Sequence, residues 1–292
     1  MRILIFGGNG MLGHKLIERL SPKFDVFATV RDDGQILISR EIIQPTQLLS
    51  NIDVCDDSAI VRAIETSEPT VVINAVGVVK QRPTANDVTN TLTVNSILPN
   101  KLSQLGEKYN YRLITMSTDC VFRGDRGNYS EVDPPDATDL YGHSKILGEV
   151  IDGDCLTIRS SIIGRELNTR HGLVEWLLSN SGGRVNGFAN AIYSGFPTIV
   201  FADIIADLVL NHPDLRGLYH ISSDPIDKFH LLGLVNEAFA AEVTIDRDET
   251  FEIDRSLDSS KFRDETGFTP QTWKQMIDLM AADASTYYDW QK

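Results

Sequence analysis

The chain has 292 residues, 42% hydrophobic and 23% charged, enough for a sizeable core and more than a usual single domain. Lys and Arg number 27 against 41 Asp and Glu, and the formal net charge of −14 argues against nucleic acid or an anionic membrane as the main partner. A phosphate-bearing ligand must then be held locally, by backbone N–H groups and a few placed cations.

Cys55, Cys120 and Cys155 have no metal-like spacing, and an odd number argues against a disulfide framework, so no metal is expected. The opening MRILIFGGNG passes from a short apolar run straight into glycines, unlike a signal peptide. No run approaches the ~18 apolar residues of a membrane span. A soluble, cytoplasmic setting is the economical reading.

Arg2–Phe6 predicts a buried parallel strand. It opens into Gly7, Gly8, Asn9, Gly10, Met11, Leu12 and Gly13, followed by an amphipathic stretch to Leu20. The glycines fit both G-x-G-x-x-G (Gly8, Gly10, Gly13) and G-x-x-G-x-x-G (Gly7, Gly10, Gly13). Strand, glycine turn and helix in that order form a dinucleotide site, with the backbone close to a pyrophosphate at the positive end of the helix. Asp25–Val30 predicts a second strand. Arg31 behind it suits a 2′-phosphate and favours NADPH, while Asp32 and Asp33 keep NADH open.

Asn51-Ile52-Asp53-Val54 reads as the end of a further short strand, and Asp56–Ser67 as a helix. Val71–Val76 is a buried strand with Asn74, Ala75 and Val76 at its C-terminal end, where open α/β sheets bind ligands. Residues 78–89 read as a polar loop including Lys80, Gln81 and Arg82, and Asn95 in the next helix as a core amide.

Arg112–Ser117 leads into Thr118-Asp119-Cys120, and Asp133-Pro134-Pro135 breaks the chain before a helix carrying Tyr141 and Lys145. Four residues is about one turn, so phenol and ammonium share a face, where the cation lowers the phenol's pKa and suits it to proton transfer. Ile146, Leu147, Val150 and Ile151 are expected as that helix's buried stripe. Cys155–Ser161 is a sixth strand, Leu173–Asn180 a short helix, and Phe196–Asp207 and Gly217–Ser222 returns to the main sheet. Residues 223–292 read as helical and acidic.

The alternation predicts an α/β fold, a doubly wound parallel sheet of the Rossmann type with a small C-terminal substrate lobe. The expected division is 1–164, with returns at about 195–222, for the dinucleotide domain, and 165–194 with 223–292 for the lobe. His14 and His143 are expected as exposed helix residues, and Trp176, Trp273 and Trp290 as packing residues. Arg165 and Arg170 are candidates for a diphosphate.

Taken together, GGNGMLG, VVINAVG, STDCVF, YGHSK, TIRSSIIG, GFPT, GLYHIS and SLDSSKF resemble the extended short-chain dehydrogenase/reductase family. Within it the likeness is closest to the dTDP-4-dehydrorhamnose reductases and runs nearly end to end. The resemblance implies NAD(P)H-dependent reduction of the 4-keto group of a nucleotide-diphosphate 4-keto-6-deoxy sugar, for polysaccharide or glycan precursors. It implies Tyr141 as proton donor, Lys145 on the nicotinamide ribose, Thr118 on the reacting oxygen, Asp53 and Val54 at the adenine, and Asp119 on the sugar. Cys120 stands where these reductases usually have Tyr, Ile162 where they have Trp, and Lys80 where small hydroxyl residues are common. These departures turn the expectation towards a different 4-keto-6-deoxyhexose, acetamido-substituted and UDP-linked, with Lys80, Asp119, Cys120 and Ile162 at the substrate. Two other readings stay open, an epimerase with tightly bound NAD(P) and a non-catalytic regulatory subunit of the methionine adenosyltransferase type. A homodimer is compatible with the sequence.

Overall fold

The structure, a computed structural model, describes residues 1–80, 86–283 and 287; the expected loop residues Gln81 and Arg82, and Trp290, lie outside the described residues. In chain order the strands begin with β1 (Arg2–Phe6), β2 (Asp25–Thr29), β3 (Leu48–Leu49), β4 (Val71–Asn74), β5 (Arg112–Met116) and β6 (Cys155–Arg159). They continue with β7 (Ile162–Ile163), β8 (Arg184–Tyr193), β9 (Phe196–Pro197), β10 (Gly217–His220), β11 (Ile226–Asp227) and β12 (Thr244–Asp254). The chain divides into two compact units: 1–117, 138–158 and 202–218 form one, and 118–137, 159–201 and 219–292 the other. The segment 118–137, expected in the dinucleotide domain, thus groups with the second unit.

The main sheet runs β10-β6-β5-β4-β1-β2-β3, with parallel pairing from β3 through to β6. The expected doubly wound sheet is therefore present. Strand order reverses beside β1, so chain leaving β1 and chain leaving β4 emerge side by side at the C-terminal edge, the place where such sheets bind ligands. RILIF, VVIN and RLITM are almost continuously buried because helices cover both faces of a parallel sheet. On one face Ile60 and Ile64 of the helix Asp57–Ser67, with Leu98 and Leu102 of the helix Leu98–Tyr109, pack on Leu4, Val72 and Leu113. Each such side chain contributes about 1.5–3 kcal/mol by leaving water. Asp56 caps the first of these helices, accepting from Ser58 N at 2.9 Å.

Several local expectations are corrected. The third strand is Leu48–Leu49 rather than a strand ending at Val54, because Asn51 takes φ 57° and turns the chain there. Phe196–Asp207 contributes no strand to the main sheet. Phe196–Pro197 pairs with Ile162–Ile163, and Thr198–Asn211 is a helix, apolar nearly all round because it is buried. Gly217–His220 does return to the main sheet.

In the second unit β8 pairs in parallel with the eleven-residue β12 and antiparallel with β11, and the helix Lys228–Ala238 packs on β8. Residues 223–292 are thus not simply helical. TIDRDETFEID is an edge strand whose polar residues face water, as Arg184–Asp246 (2.5 Å) and Asn186–Asp248 (3.0 Å) pair across it, so its acidity masks the strand. No helix among the described residues is long and apolar enough to cross a membrane.

Candidate active site

The glycine turn is built by exclusion. Gly7 takes φ 91°, and a Cβ there would stand 3.0 Å from Val76 Cγ2. A Cβ on Gly13 would lie 2.0 Å from the carbonyl oxygen of Gly7. The turn is therefore folded on itself and against Ala75 and Val76, bringing together the two segments that the strand order places side by side. Gly8 N donates to Thr29 O at 2.8 Å and Gly10 N to Gly7 O at 3.1 Å. The N–H groups of Met11 and Leu12, just before the helix Gly13–Leu20, donate to no group among the described residues. Free amides at a helix start with no side chain in the way fit a pyrophosphate.

His14, expected to be exposed, is fully buried. Its Nδ1 lies 2.7 Å from Gly10 O, and burial lowers its pKa to about 3. The imidazole is a neutral brace under the turn. Arg31 is exposed at the end of β2 and has no ion pair among the described residues. Asp32 is already engaged, accepting from Asn9 Nδ2 at 3.1 Å and Gly34 N at 3.0 Å. Asp53 accepts from Cys55 N at 2.9 Å, and Val54 packs against the core. Asn74 donates to Thr115 Oγ1 and accepts from Val76 N, both at 3.2 Å, fixing the strand end.

The helix Leu140–Leu147 carries Tyr141 and Lys145 one turn apart and starts at Asp139, whose carboxylate accepts from Gly142 N at 2.8 Å. Its buried positions are Gly142, Ser144 and Lys145; of the expected apolar stripe Val150 packs on the core, while Leu147 is 63% and Ile151 53% exposed. The helix turns a polar face inward because polar partners wait there. Asn95, as expected, is a core amide: it accepts from Val78 N at 2.9 Å and donates to Val78 O and Ser144 Oγ, both at 3.0 Å. It sits in a short π-helical segment, Thr93–Ile97, a distortion often found beside functional sites. Lys145 is 8% exposed and donates to the carbonyl of Met116 at 2.5 Å. Burial lowers its pKa to about 8, opposed by Glu149, which itself accepts from Ser117 Oγ at 2.6 Å. Lys80 lies beside this helix, its ammonium 2.5 Å from Asp139 and 5.6 Å from the centroid of the Tyr141 ring. His143 is exposed, as expected.

The remaining expected residues lie in the second unit. Thr118 caps a short 3₁₀ turn, Asp119–Val121, its Oγ1 accepting from Cys120 N and donating to Asp119, both at 3.1 Å. Thr118 and Asp119 are buried, whereas Cys120 is half-buried with Arg255 Nη1 3.6 Å from its sulfur. Ile162 pairs in register with Phe196. Arg165 is not available to a diphosphate: it is buried in an ion pair with Glu175 at 2.6 Å. Arg170 is exposed. Trp273 is buried as expected, but Trp176 is 38% exposed.

The sequence reading missed Lys228, Tyr193 and Arg255. Lys228 holds its ammonium 5.3 Å from the Tyr193 ring centroid and lies near enough to Asp119 to feel its charge, with Cys120 close by. Desolvation lowers its pKa. No local motif marks these residues. The one signal was a Lys directly behind the Asp227 cap of an apolar helix, where a cation opposes the helix dipole.

The profile of the RmlD substrate binding domain matches residues 1–286. The chain is similar to a dTDP-4-dehydrorhamnose reductase of Aggregatibacter actinomycetemcomitans, 22% identical over 97% of this chain and 99% of that one. It is 28% identical to the dTDP-4-dehydrorhamnose reductase of Burkholderia thailandensis over 55% of this chain, a match spanning only half of that protein's length. Among solved structures, a Bacillus anthracis dTDP-4-dehydrorhamnose reductase in complex with NADP superposes with a TM-score of 0.80. That pair is 20% identical and covers 97% and 99% of the two chains, a likeness that carries the fold. The match over nearly the whole length bears out the resemblance read from the motifs: the chain belongs to the RmlD substrate binding domain family.

Proposed function

We propose that this protein is an NAD(P)H-dependent oxidoreductase that reduces the 4-keto group of a nucleotide-activated 4-keto-6-deoxy sugar, in the cytoplasm, for polysaccharide precursors. The observation that carries this reading is the helix Leu140–Leu147, which aligns Tyr141 one turn from a buried, partly desolvated Lys145. Family membership over residues 1–286 and the names of the relatives support a sugar nucleotide as substrate. A homodimer is the proposed oligomer.

The groups present fit a nicotinamide dinucleotide. The Met11 and Leu12 amides hold the pyrophosphate, Arg31 the 2′-phosphate, Asp53 and Val54 the adenine, and Asn74, Ala75 and Val76 the strand end. With Asp32 engaged and Arg31 available, NADPH is preferred over NADH. When bound, the cofactor supplies a hydride to the sugar carbonyl carbon. Lys145, mostly cationic at neutral pH, binds the ribose and favours ionisation of Tyr141. Tyr141 gives its phenolic proton to the carbonyl oxygen. Thr118, whose hydroxyl proton now points at Asp119, turns it to the same oxygen and stabilises the charge that develops there. Lys80, through Asp139, steadies the helix start beneath Tyr141.

The test is loss of reduced-nicotinamide absorbance with a panel of dTDP- and UDP-linked 4-keto-6-deoxy sugars. Sugar-dependent oxidation is expected. A flat trace from protein that binds NADPH would sink the reductase reading, and NAD(P) retained through purification would move the weight to an epimerase.

A further inference from the structure

Three polar side chains of the second unit converge with hydrogen-bonding capacity unused. Tyr193 is 5% exposed, yet its hydroxyl has no partner in good hydrogen-bond geometry; among the described residues the Ser161 side chain is the one polar group close enough to act on it as a hydrogen bond would. A buried phenol normally finds a partner, and leaving one unpaired costs about 1–3 kcal/mol. Lys228 lies against the same ring and donates no hydrogen bond and makes no ion pair among the described residues. Asp119 acts electrostatically on both and lies beyond ion-pair contact with Lys228. Its carboxylate has one bond from Thr118 and can accept more. The short side chain of Cys120 lies beside them.

We infer that Asp119, Lys228 and Tyr193 form a subsite that reads an acylamino group on the sugar: Asp119 accepts from its N–H, while Lys228 and Tyr193 donate to its carbonyl oxygen. This deepens the reductase reading and rests on it. An amide satisfies all three groups at once, because its N–H needs one acceptor and its oxygen has two lone pairs. A hydroxyl carries one donor and two lone pairs as well, but on a single atom, so it meets all three groups only where they crowd one oxygen. An amide carries its donor and its acceptor on opposite sides and spans the space between Asp119 and Lys228. A carboxylate would suit Lys228 and Tyr193 but is repelled by Asp119. The Cys120 thiol offers the methyl of an acetamido group a small apolar wall.

The experiment compares kcat/KM on nucleotide-linked 4-keto-6-deoxy sugars bearing acetamido at C2 or at C3, the dihydroxy counterpart and a uronate. The protein is tested as wild type, Lys228→Met and Tyr193→Phe. One acetamido sugar should exceed the dihydroxy sugar by about 10- to 100-fold in the wild type, since a site built to bond a polar group rejects ligands lacking it. Both variants keep the apolar bulk of the side chain, and both should pull that ratio towards unity. Equal or better use of the dihydroxy sugar or the uronate by the wild type overturns the subsite, as does an unchanged ratio in both variants. Failure of every keto sugar, with NADPH bound, would instead count against the reductase reading. In that case calorimetric binding of UDP-N-acetylglucosamine and UDP-N-acetylquinovosamine against UDP-glucose decides the subsite, which is overturned if neither amide ligand binds more tightly.

Discussion

Lys145 and Lys228 are both ammonium groups held at a desolvation cost, and they are held for different ends. Lys145 has a partner inside the protein, the carbonyl of Met116, and its helix is locked to the helical segment Thr93–Ile97 through Ser144 and Asn95. Among the described residues half-buried Lys228 has the face of an aromatic ring and a carboxylate beyond ion-pair contact. The first arrangement is preorganised before anything binds, as proton chemistry demands. The second is completed by what it recognises. In this chain the reaction machinery is satisfied and the recognition machinery is not.

The largest effect that sharpens this contrast belongs to Tyr141→Phe. It should lower kcat roughly 1,000-fold, the scale of a lost general acid, while NADPH affinity measured by fluorescence titration stays nearly constant. Turnover near the wild-type rate would break the assignment of chemistry to this helix.

Next comes Lys145→Met. The folded pKa is depressed from 10.5 to about 8, so the charged form is disfavoured in the fold. The unfolded chain binds more protons between these values, so stability should rise as pH climbs from about 8 to 10.5. Removing the charge should therefore raise the melting temperature at neutral pH, by the equivalent of about 1–3 kcal/mol, while nearly abolishing activity. A lower melting temperature would show that the Met116 bond outweighs desolvation.

A similar pH argument applies to two buried histidines. His220 is held by Tyr129 O and Arg159, and burial, then Arg159, lowers its pKa to about 4. Because the folded values of His14 and His220 lie below the ordinary 6.5, their stabilising contribution is full above about pH 6.5 and is lost as pH falls towards 4 and below. Melting temperature scanned from pH 7 to 4 should drop, and His220→Gln should flatten that drop. The smallest effect is cofactor choice: Arg31→Ala should weaken NADPH relative to NADH by about 10-fold in KM, the scale of one exposed charge-assisted phosphate contact.

Much of the nucleotide half was legible because its signals are local. Gly7, Gly10 and Gly13 work within one turn, and Tyr141 and Lys145 within one helical turn, so spacing alone brings them together. The errors arose where burial depends on a distant partner. His14 reads as a surface residue until Gly10 O is seen above it, and the helix Leu140–Leu147 reads as apolar inward until Asn95 is seen waiting for Ser144. Acidic TIDRDETFEID reads as helix or loop until Arg184–Tyr193 supplies a strand to pair with.

By itself the sequence determined the parallel sheet, the glycine turn and the tyrosine helix, since each is set by periodicity or by contacts a few residues apart, and its motifs carried the family resemblance. Only the tertiary structure decided which polar groups are satisfied and which are not. Asp119, Tyr193 and Lys228 are far apart along the chain, and no spacing rule joins them. Whether a buried group has a hydrogen-bond partner depends on where the whole chain puts its neighbours, which is why the proposed recognition site became visible only in the fold.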